Sequence, residues 1–371
     1  MPSAVVLGAG TVGSAIAADL AGEFTVTLAD ESVDALDAAQ SRSTEPITTV
    51  QKDLADPAVI RRTVADADIV LGALPGSMGL RALQAVIEAG RHYCDVSFMA
   101  EDPMELNGLA EARGSTAVVD CGLSPGLTSM LAGHAATELE GCTRIDIYAG
   151  GIPSDPRPPF FYKAASSPAD VIEQYTRPSR IVQKGRVVVR EALSEVEPVS
   201  FDGVGVLEAF NTDGLRSLIR SLDVPFMREK TVRWPGHAQI MLAFREAGLF
   251  SAEPITVQTV AVRPLEITAA TLFPKWIYEP GEQDLSVLRV TAEGEDGVTM
   301  GWEMIHRSDD DSGSSMSLTT ALPCAIVARL IASGRFDRRG IITPEMIGRE
   351  PDLLEHVLAE LAARGIRVTG L

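Results

Sequence analysis

The chain opens on a short apolar run, Ala4–Leu7, rich in β-branched residues, followed at once by a glycine cluster, Gly8-Ala9-Gly10-Thr11-Val12-Gly13. A continuous apolar run of this kind is the pattern of a parallel strand buried on both faces. Helical spacing then covers Val12–Ala21, and a second strand pattern covers Phe24–Ala29. The alternation continues through Thr48–Gln51, through Ile69–Leu74 ended by Pro75-Gly76, through a helix over Leu80–Ala89, and through strands at His92–Val96 and Ala117–Val119. Strands alternating with helices predict an α/β fold with a doubly wound parallel sheet.

After Gly126 the pattern changes. A strand over 143–149 is expected to break at Gly150-Gly151-Ile152-Pro153, and a proline-rich loop leads to Phe160-Phe161-Tyr162-Lys163. Strand patterns follow at Arg186–Arg190, Ile255–Arg263 and Asp284–Glu293, with Gly297–His306 placed to pair with the last. Successive strands predict an α+β second domain. Helical patterns at Pro323–Ser333 and Asp352–Arg364 suggest a C-terminal segment that returns to the first domain. The expected organisation is 1–125, 126–322 and 323–371.

The glycine cluster carries chemistry. Gly8, Gly10 and Gly13 fit G-x-G-x-x-G between a strand and a helix, and an acid, Asp30, ends the second strand. The first glycine allows the tight turn, the second lets a pyrophosphate approach the backbone, and the third lets helix and strand pack closely. The helix start at Thr11 and Val12 offers N–H groups to phosphates. A carboxylate at Asp30 suits the ribose hydroxyls of NAD and repels the extra phosphate of NADP, and Glu31-Ser32 supplies no arginine. Asp30 can also cap the following helix. Ligands of open α/β sheets lie beyond the strand C-termini, so Asp53, Ala73-Leu74-Pro75, Asp95 and Ser97 are expected to border the same crevice. Asp53 either meets the adenine end or holds a loop turn. Asp95 and Ser97 are candidates for the nicotinamide side.

Composition narrows the class. The chain has 371 residues and a net charge of −19, which disfavours nucleic acid and anionic membranes as partners. No apolar run reads as long enough to span a bilayer, and no signal peptide is visible. Cys94, Cys121, Cys142 and Cys324 are scattered without a C-x-x-C pair, which suits a reducing, cytoplasmic setting. No cluster has metal-ligand spacing, so no metal is expected. Asp309-Asp310-Asp311 reads as a solvated hairpin tip.

Further strings point to a family. Cys121-Gly122-Leu123-Ser124-Pro125-Gly126, Gly150-Gly151-Ile152-Pro153 and Tyr162-Lys163, in that order and spacing, resemble the saccharopine dehydrogenase-like family. Glu195-Val196-Glu197-Pro198, Leu207-Glu208-Ala209-Phe210 and Lys230–His237 resemble its L-lysine 6-dehydrogenase branch. The resemblance implies a Rossmann domain, a mixed-sheet domain for substrate and oligomerisation, and assembly as a homodimer or larger homo-oligomer. It also implies a cytoplasmic NAD(P)-dependent enzyme acting on an amino acid. Two positions depart from it. Saccharopine-forming members commonly carry Asp where this chain has Ser124, and Lys163 looks more like the saccharopine branch than the lysine 6-dehydrogenase branch.

The leading expectation is NAD-dependent oxidative deamination of the side-chain amine of L-lysine or a close basic amino acid. The alternatives are reductive condensation of an amine with an aldehyde or keto acid, and a non-catalytic NAD-binding sensor. Removing hydride from a carbon bearing an ammonium first requires loss of a proton. His237, after a Trp-Pro-Gly turn, is the first candidate for that transfer, against a helix-capping role. Lys163 is the second, as a base or a carboxylate ligand. Arg233 either grips a substrate carboxylate or forms an ion pair with Glu229 or Glu208. Glu208 either holds an amino group or is a half-exposed strand residue. Tyr162 and Thr176 are candidate pocket hydroxyls. By resemblance, Ser124, Ser194 and Glu195 lie beside the substrate.

Overall fold

The structure is a computed structural model that describes residues 1–164, 168–308 and 313–371. The Asp309-Asp310-Asp311 run lies outside the described residues. The chain divides into two compact units, one of Met1–His134 with Ser317–Ile366, the other of Ala135–Met316 with Arg367–Leu371.

In the first unit, β1 (Ser3–Leu7), β2 (Thr25–Asp30), β3 (Thr48–Gln51), β4 (Ile69–Gly72), β5 (His92–Asp95) and β6 (Thr116–Val118) form a parallel sheet. The strand Gly340–Ile342 adds to its edge, giving the order Gly340–Ile342, β6, β5, β4, β1, β2, β3 among the described residues. Strand order reverses at β1, which has β2 on one side and β4 on the other. This is the switch point at which α/β sheets open a ligand crevice. Val5, Leu7, Val70 and Val86 belong to the core against one face.

The C-terminal segment is not only helical, as expected from its pattern. Gly340–Ile342 pairs in parallel with Thr116–Val118, Gly340 opposite Thr116. The unit boundary also lies beyond 125, because the helix Leu127–Glu138 packs on Pro344–Gly348 at backbone distance. A Cβ at Gly133 would lie 2.6 Å from the Glu345 carbonyl oxygen, and one at Gly348 would lie 1.9 Å from that of Met130. Residues 367–371 fall in the second unit, where Thr369–Gly370 pairs with Thr299–Arg307.

The second unit is built on a mixed sheet. Its central strands are Phe226–Arg233 and Cys142–Pro153, parallel to each other, and Asp284–Gly294 and Thr299–Arg307 follow antiparallel. Gly205–Asn211 and Glu197–Phe201 extend the other side. Two sequence readings change. The strand Cys142–Pro153 runs on through Gly150 and Gly151, because these glycines serve close packing: a Cβ at Gly150 would lie 2.3 Å from the Val232 carbonyl oxygen, and one at Gly151 would lie 2.8 Å from the Met316 sulfur. The run Ile255–Arg263 is a hairpin, Ile255–Val257 with Val260–Val262, turning at Gln258 with φ +56°.

Among the described residues one helix, Ser315–Ala332, is long and apolar enough to cross a membrane, contrary to the sequence reading. Of this segment 72% is buried, the state of a core helix.

Candidate functional site

The first unit presents the glycine turn in working form. Gly8 has φ +102°, and a Cβ there would lie 2.5 Å from the Ala73 carbonyl oxygen. Gly13 opens onto the turn itself: its Cβ would lie 1.9 Å from the Gly8 carbonyl oxygen and 3.2 Å from the Ala73 methyl carbon. Gly10 differs from both. It is exposed, and a Cβ there meets nothing within 4 Å. Space is thus left where a pyrophosphate would approach, at the start of the helix α1 (Thr11–Leu20), which no side chain caps. Thr11 and Val12 begin that helix, both at least partly exposed.

Asp30 closes the cradle on the β2 side. Its Oδ2 accepts from the Ala9 N–H at 2.6 Å and its Oδ1 from the Ser32 N–H at 2.8 Å. The helix Val33–Arg42 is capped by Ser32, whose hydroxyl accepts from the Ala35 N–H, so Asp30 is not its cap. Asp53 is exposed and accepts from the Ala55 N–H at 2.9 Å, a loop-turn bond. The Ala73 N–H donates to the Leu7 carbonyl at 2.9 Å, Leu74 is buried, and Pro75 precedes the helix Gly76–Glu88. Asp95 and Ser97 are buried at the end of β5 and bond to each other, the Ser97 hydroxyl donating to Asp95 Oδ1 at 2.6 Å. Ser124 also belongs to this unit and accepts from the Thr128 hydroxyl at 3.2 Å. An open turn, an uncapped helix start and a carboxylate fixed at the second strand fit a nicotinamide dinucleotide. This unit is a nucleotide-binding Rossmann domain.

The second unit gathers an aromatic and cationic cluster around Arg233. Its guanidinium lies over the Tyr162 ring, 4.6 Å from the centroid, and donates to Gln174 Oε1 and the Val232 carbonyl, both at 2.9 Å. It is 3% exposed, its Nε has no hydrogen-bond partner, and no carboxylate pairs with it among the described residues. The ion pair with Glu229 or Glu208 is therefore absent. Glu229 is buried and accepts from the Thr212 hydroxyl and the Gly214 N–H; burial pushes its carboxyl up to about 7 despite those two donors. Glu208 lies opposite Arg233 in the strand register, yet it accepts from the Gly236 N–H at 3.0 Å and the Ala238 N–H at 2.6 Å. It thus caps the helix His237–Glu246, whose cap residue Gly236 has no side chain to do so, and both its oxygens are engaged away from any substrate amine.

His237 departs from expectation. It is completely buried, with Nδ1 at 2.8 Å from the Phe160 carbonyl and Nε2 at 2.8 Å from the Tyr175 hydroxyl. The carbonyl only accepts, so Nδ1 carries the proton and Nε2 accepts from Tyr175. Burial, reinforced by Arg233, drives its pKa down to about 3. With both nitrogens engaged and its charged form disfavoured, His237 is held neutral as a buried strut. Its ring packs on Tyr162 at 4.9 Å, and Trp276 stands edge-on to Tyr162 at 5.3 Å.

Lys163 pairs with Glu282 and donates to the Ile277 carbonyl at 3.1 Å, so its amine is engaged within the protein. It lines a cavity of about 490 Å³ together with Arg157, Lys275 and Glu279. Thr176 is exposed and bonds back to the Ile172 carbonyl of its own helix, which removes it from the pocket. Its neighbours Gln174 and Tyr175 are the residues of that helix that reach Arg233 and His237; the sequence held no signal for either. Ser194 donates to the Glu191 carbonyl at 2.6 Å and accepts from Asn211 Nδ2 at 3.1 Å, and Glu195 pairs with Arg190 at 3.0 Å, so both are engaged within the protein. Tyr162 is the candidate hydroxyl that the structure does bring to Arg233.

The comparisons cover both units. Residues 4–118 match the model of the saccharopine dehydrogenase NADP binding domain, and residues 122–366 that of the saccharopine dehydrogenase C-terminal domain. Saccharopine dehydrogenase [NADP(+), L-glutamate-forming] of Schizosaccharomyces pombe is 20% identical over 396 residues, covering 85% of this chain and 86% of that one. Alpha-aminoadipic semialdehyde synthase of Arabidopsis thaliana is 25% identical over 233 residues; the match covers 58% of this chain and only 22% of that much longer protein. The apo structure of saccharopine dehydrogenase (L-Glu forming) from Saccharomyces cerevisiae superposes with a TM-score of 0.80 at 17% identity, over 100% of this chain and 99% of that one, which establishes a shared fold. With family models matching nearly its whole length, the chain is an oxidoreductase-fold protein that belongs to the saccharopine dehydrogenase family.

Proposed function

We propose that this protein is a nicotinamide-dependent oxidoreductase of amino-acid metabolism that interconverts a secondary amine with a primary amine and a carbonyl compound. In the oxidative direction a hydride leaves the carbon beside nitrogen, the imine takes up water, and amine and carbonyl separate with release of one proton. The dinucleotide, when bound, supplies or accepts the hydride. The observation that carries the reading is the cradle of Gly8, open Gly10 and Gly13 closed by Asp30, in a chain whose family relatives bear names of saccharopine chemistry. Arg233 is assigned the substrate carboxylate, because a buried guanidinium that pairs with no carboxylate among the described residues is completed by a bidentate anion. Asp30 supports NAD as the dinucleotide. The family-model name and the printed NADP(+) of the S. pombe relative favour the phosphorylated form, so NADH and NADPH are both to be tested. Homodimeric assembly and a cytoplasmic location are part of the same proposal.

Oxidative deamination of L-lysine is the second reading. Ser124 favours it, since a neutral hydroxyl stands where a carboxylate would help hold the larger condensed substrate.

The deciding experiment follows NADH and NADPH with a panel of amines and carbonyl acceptors, and NAD(P) with single amino acids. Reduced cofactor consumed only when amine and carbonyl are both present supports the condensation reading. Reduction of NAD by lysine alone, with ammonia released, selects the second. Cofactor binding without turnover in any combination overturns both.

A further inference from the structure

The first unit holds a carboxyl group that the glycine cradle does not use. Asp95 ends β5 with no exposed surface, beside β4 in the sheet. It stands at the carboxyl edge of the parallel strands. A dinucleotide with its pyrophosphate at the β1 turn and its adenosine ribose at Asp30 would extend its nicotinamide across the switch point, toward β4 and β5.

Local packing fixes the Asp95 carboxyl at this edge of the sheet. A Cβ at Gly72, the last residue of β4, would lie 2.3 Å from Asp95 Oδ1 and 1.9 Å from the Tyr93 hydroxyl, so only glycine admits them. The Ser97 hydroxyl at 2.6 Å, the Ser97 N–H at 3.2 Å and the Tyr93 hydroxyl at 3.2 Å all donate to Oδ1. Oδ2 is buried and accepts from nothing among the described residues. The titratable groups facing the carboxyl are Tyr93 and Cys94 on β5, Asp120 and Cys121 beyond β6, and Cys324 on the helix Ser315–Ala332. Every one is acidic when it titrates, and no cation pairs with Asp95 among the described residues.

We propose that Asp95 is a proton-linked partner of the nicotinamide ring: it releases its proton when the cationic oxidised ring binds and retains it beside the neutral reduced ring. The oxidised ring supplies the positive charge that the protein withholds, and the reduced ring does not. Burial, with Asp120 adding repulsion and the Ser97 bonds opposing, pushes the carboxyl up to about 7 in the free protein, so the linkage falls in the neutral range. This inference rests on the dinucleotide reading of the cradle.

Calorimetric titration of the full chain with NAD⁺ and with NADH, each in buffers of different ionisation enthalpy between pH 6 and 8, tests it. At pH 7 NAD⁺ binding is expected to release about half a proton per chain, and NADH binding to release none. Asp95→Asn abolishes the release and weakens NAD⁺ by about tenfold, the equivalent of one pKa unit, with NADH affinity near that of the parent. Should that variant not fold, Ser97→Ala carries the test: loss of a donor to the carboxylate moves the release to higher pH. Release that persists in Asp95→Asn, equal proton exchange for the two redox forms, or an unchanged profile in Ser97→Ala overturns the proposal while leaving the cofactor reading intact. Absence of binding by every dinucleotide overturns the cofactor reading, and this inference with it.

Discussion

The Tyr175 hydroxyl lies 2.8 Å from His237 Nε2, and with the Phe160 carbonyl on Nδ1 this contact leaves the imidazole no free nitrogen. In the unfolded chain the ring titrates near ~6.5. In the folded protein it is held neutral down to about 3. Between those values the unfolded state binds a proton that the folded state refuses. Stability from this group is therefore complete above the upper value and falls as pH drops through the window, by up to about 1.4 kcal/mol per pH unit. His237→Phe flattens that part of the Tm–pH curve and costs about 1–3 kcal/mol, since Tyr175 and Phe160 lose buried partners. A changed shape of the kcat–pH profile at unaltered Tm would return His237 to proton transfer.

Arg233 carries a buried charge at a cost in stability. Replacing a desolvated ion by an apolar side chain of similar volume is often neutral or stabilising. Arg233→Met is expected to keep or raise Tm while kcat/KM for a carboxylate substrate falls by about two orders of magnitude, the loss of a charged bidentate contact at about 1.5–3 kcal/mol. Thermal melts and steady-state kinetics on one preparation check it. Unimpaired kinetics would make the residue purely structural.

The three turn glycines separate fold from binding. Gly13→Ala forces a methyl to 1.9 Å from a backbone oxygen and is expected to lower Tm sharply. Gly10→Ala meets nothing in the protein, so Tm should hold while dinucleotide affinity drops. Fluorescence titration with NADH beside a thermal melt distinguishes the two. Equal affinity in Gly10→Ala would move the pyrophosphate away from this turn.

Asp30→Ala removes a ribose partner and the anion that repels a 2′-phosphate. NADH affinity is expected to fall by about tenfold and NADPH affinity to fall less or to rise. Titration with both reduced cofactors reads the ratio, and an unmoved ratio would exclude the ribose role.

The cofactor half was legible because its parts lie close along the chain. Strand, glycines, helix and Asp30 fall within the first thirty residues, and each follows from a local steric or electrostatic requirement. The substrate half was not, because its contacts join distant segments. Phe160 and His237 are 77 positions apart, and Glu208 reaches Ala238 across 30. Glu208 looked available because the helix it caps begins at a bare glycine, which from sequence reads only as a turn. The hairpin at Gln258 escaped notice since glutamine is no turn signal, and Gly150-Gly151 read as a break because the atoms that exclude a Cβ there, the Val232 carbonyl and the Met316 side chain, come from segments distant in sequence.

The strand Gly340–Ile342 pairs with Thr116–Val118, a separation of 224 residues between Gly340 and Thr116. During synthesis the nucleotide domain therefore waits with an open sheet edge until residues 340–342 have emerged, and the second unit is complete but for its last strand before the first can close. An unpaired parallel edge is a template for intermolecular pairing. Ribosome-stalled chains ending before residue 340 should hence be the most aggregation-prone lengths, and a dinucleotide, by fastening the β1 turn, should shield chains long enough to bind it.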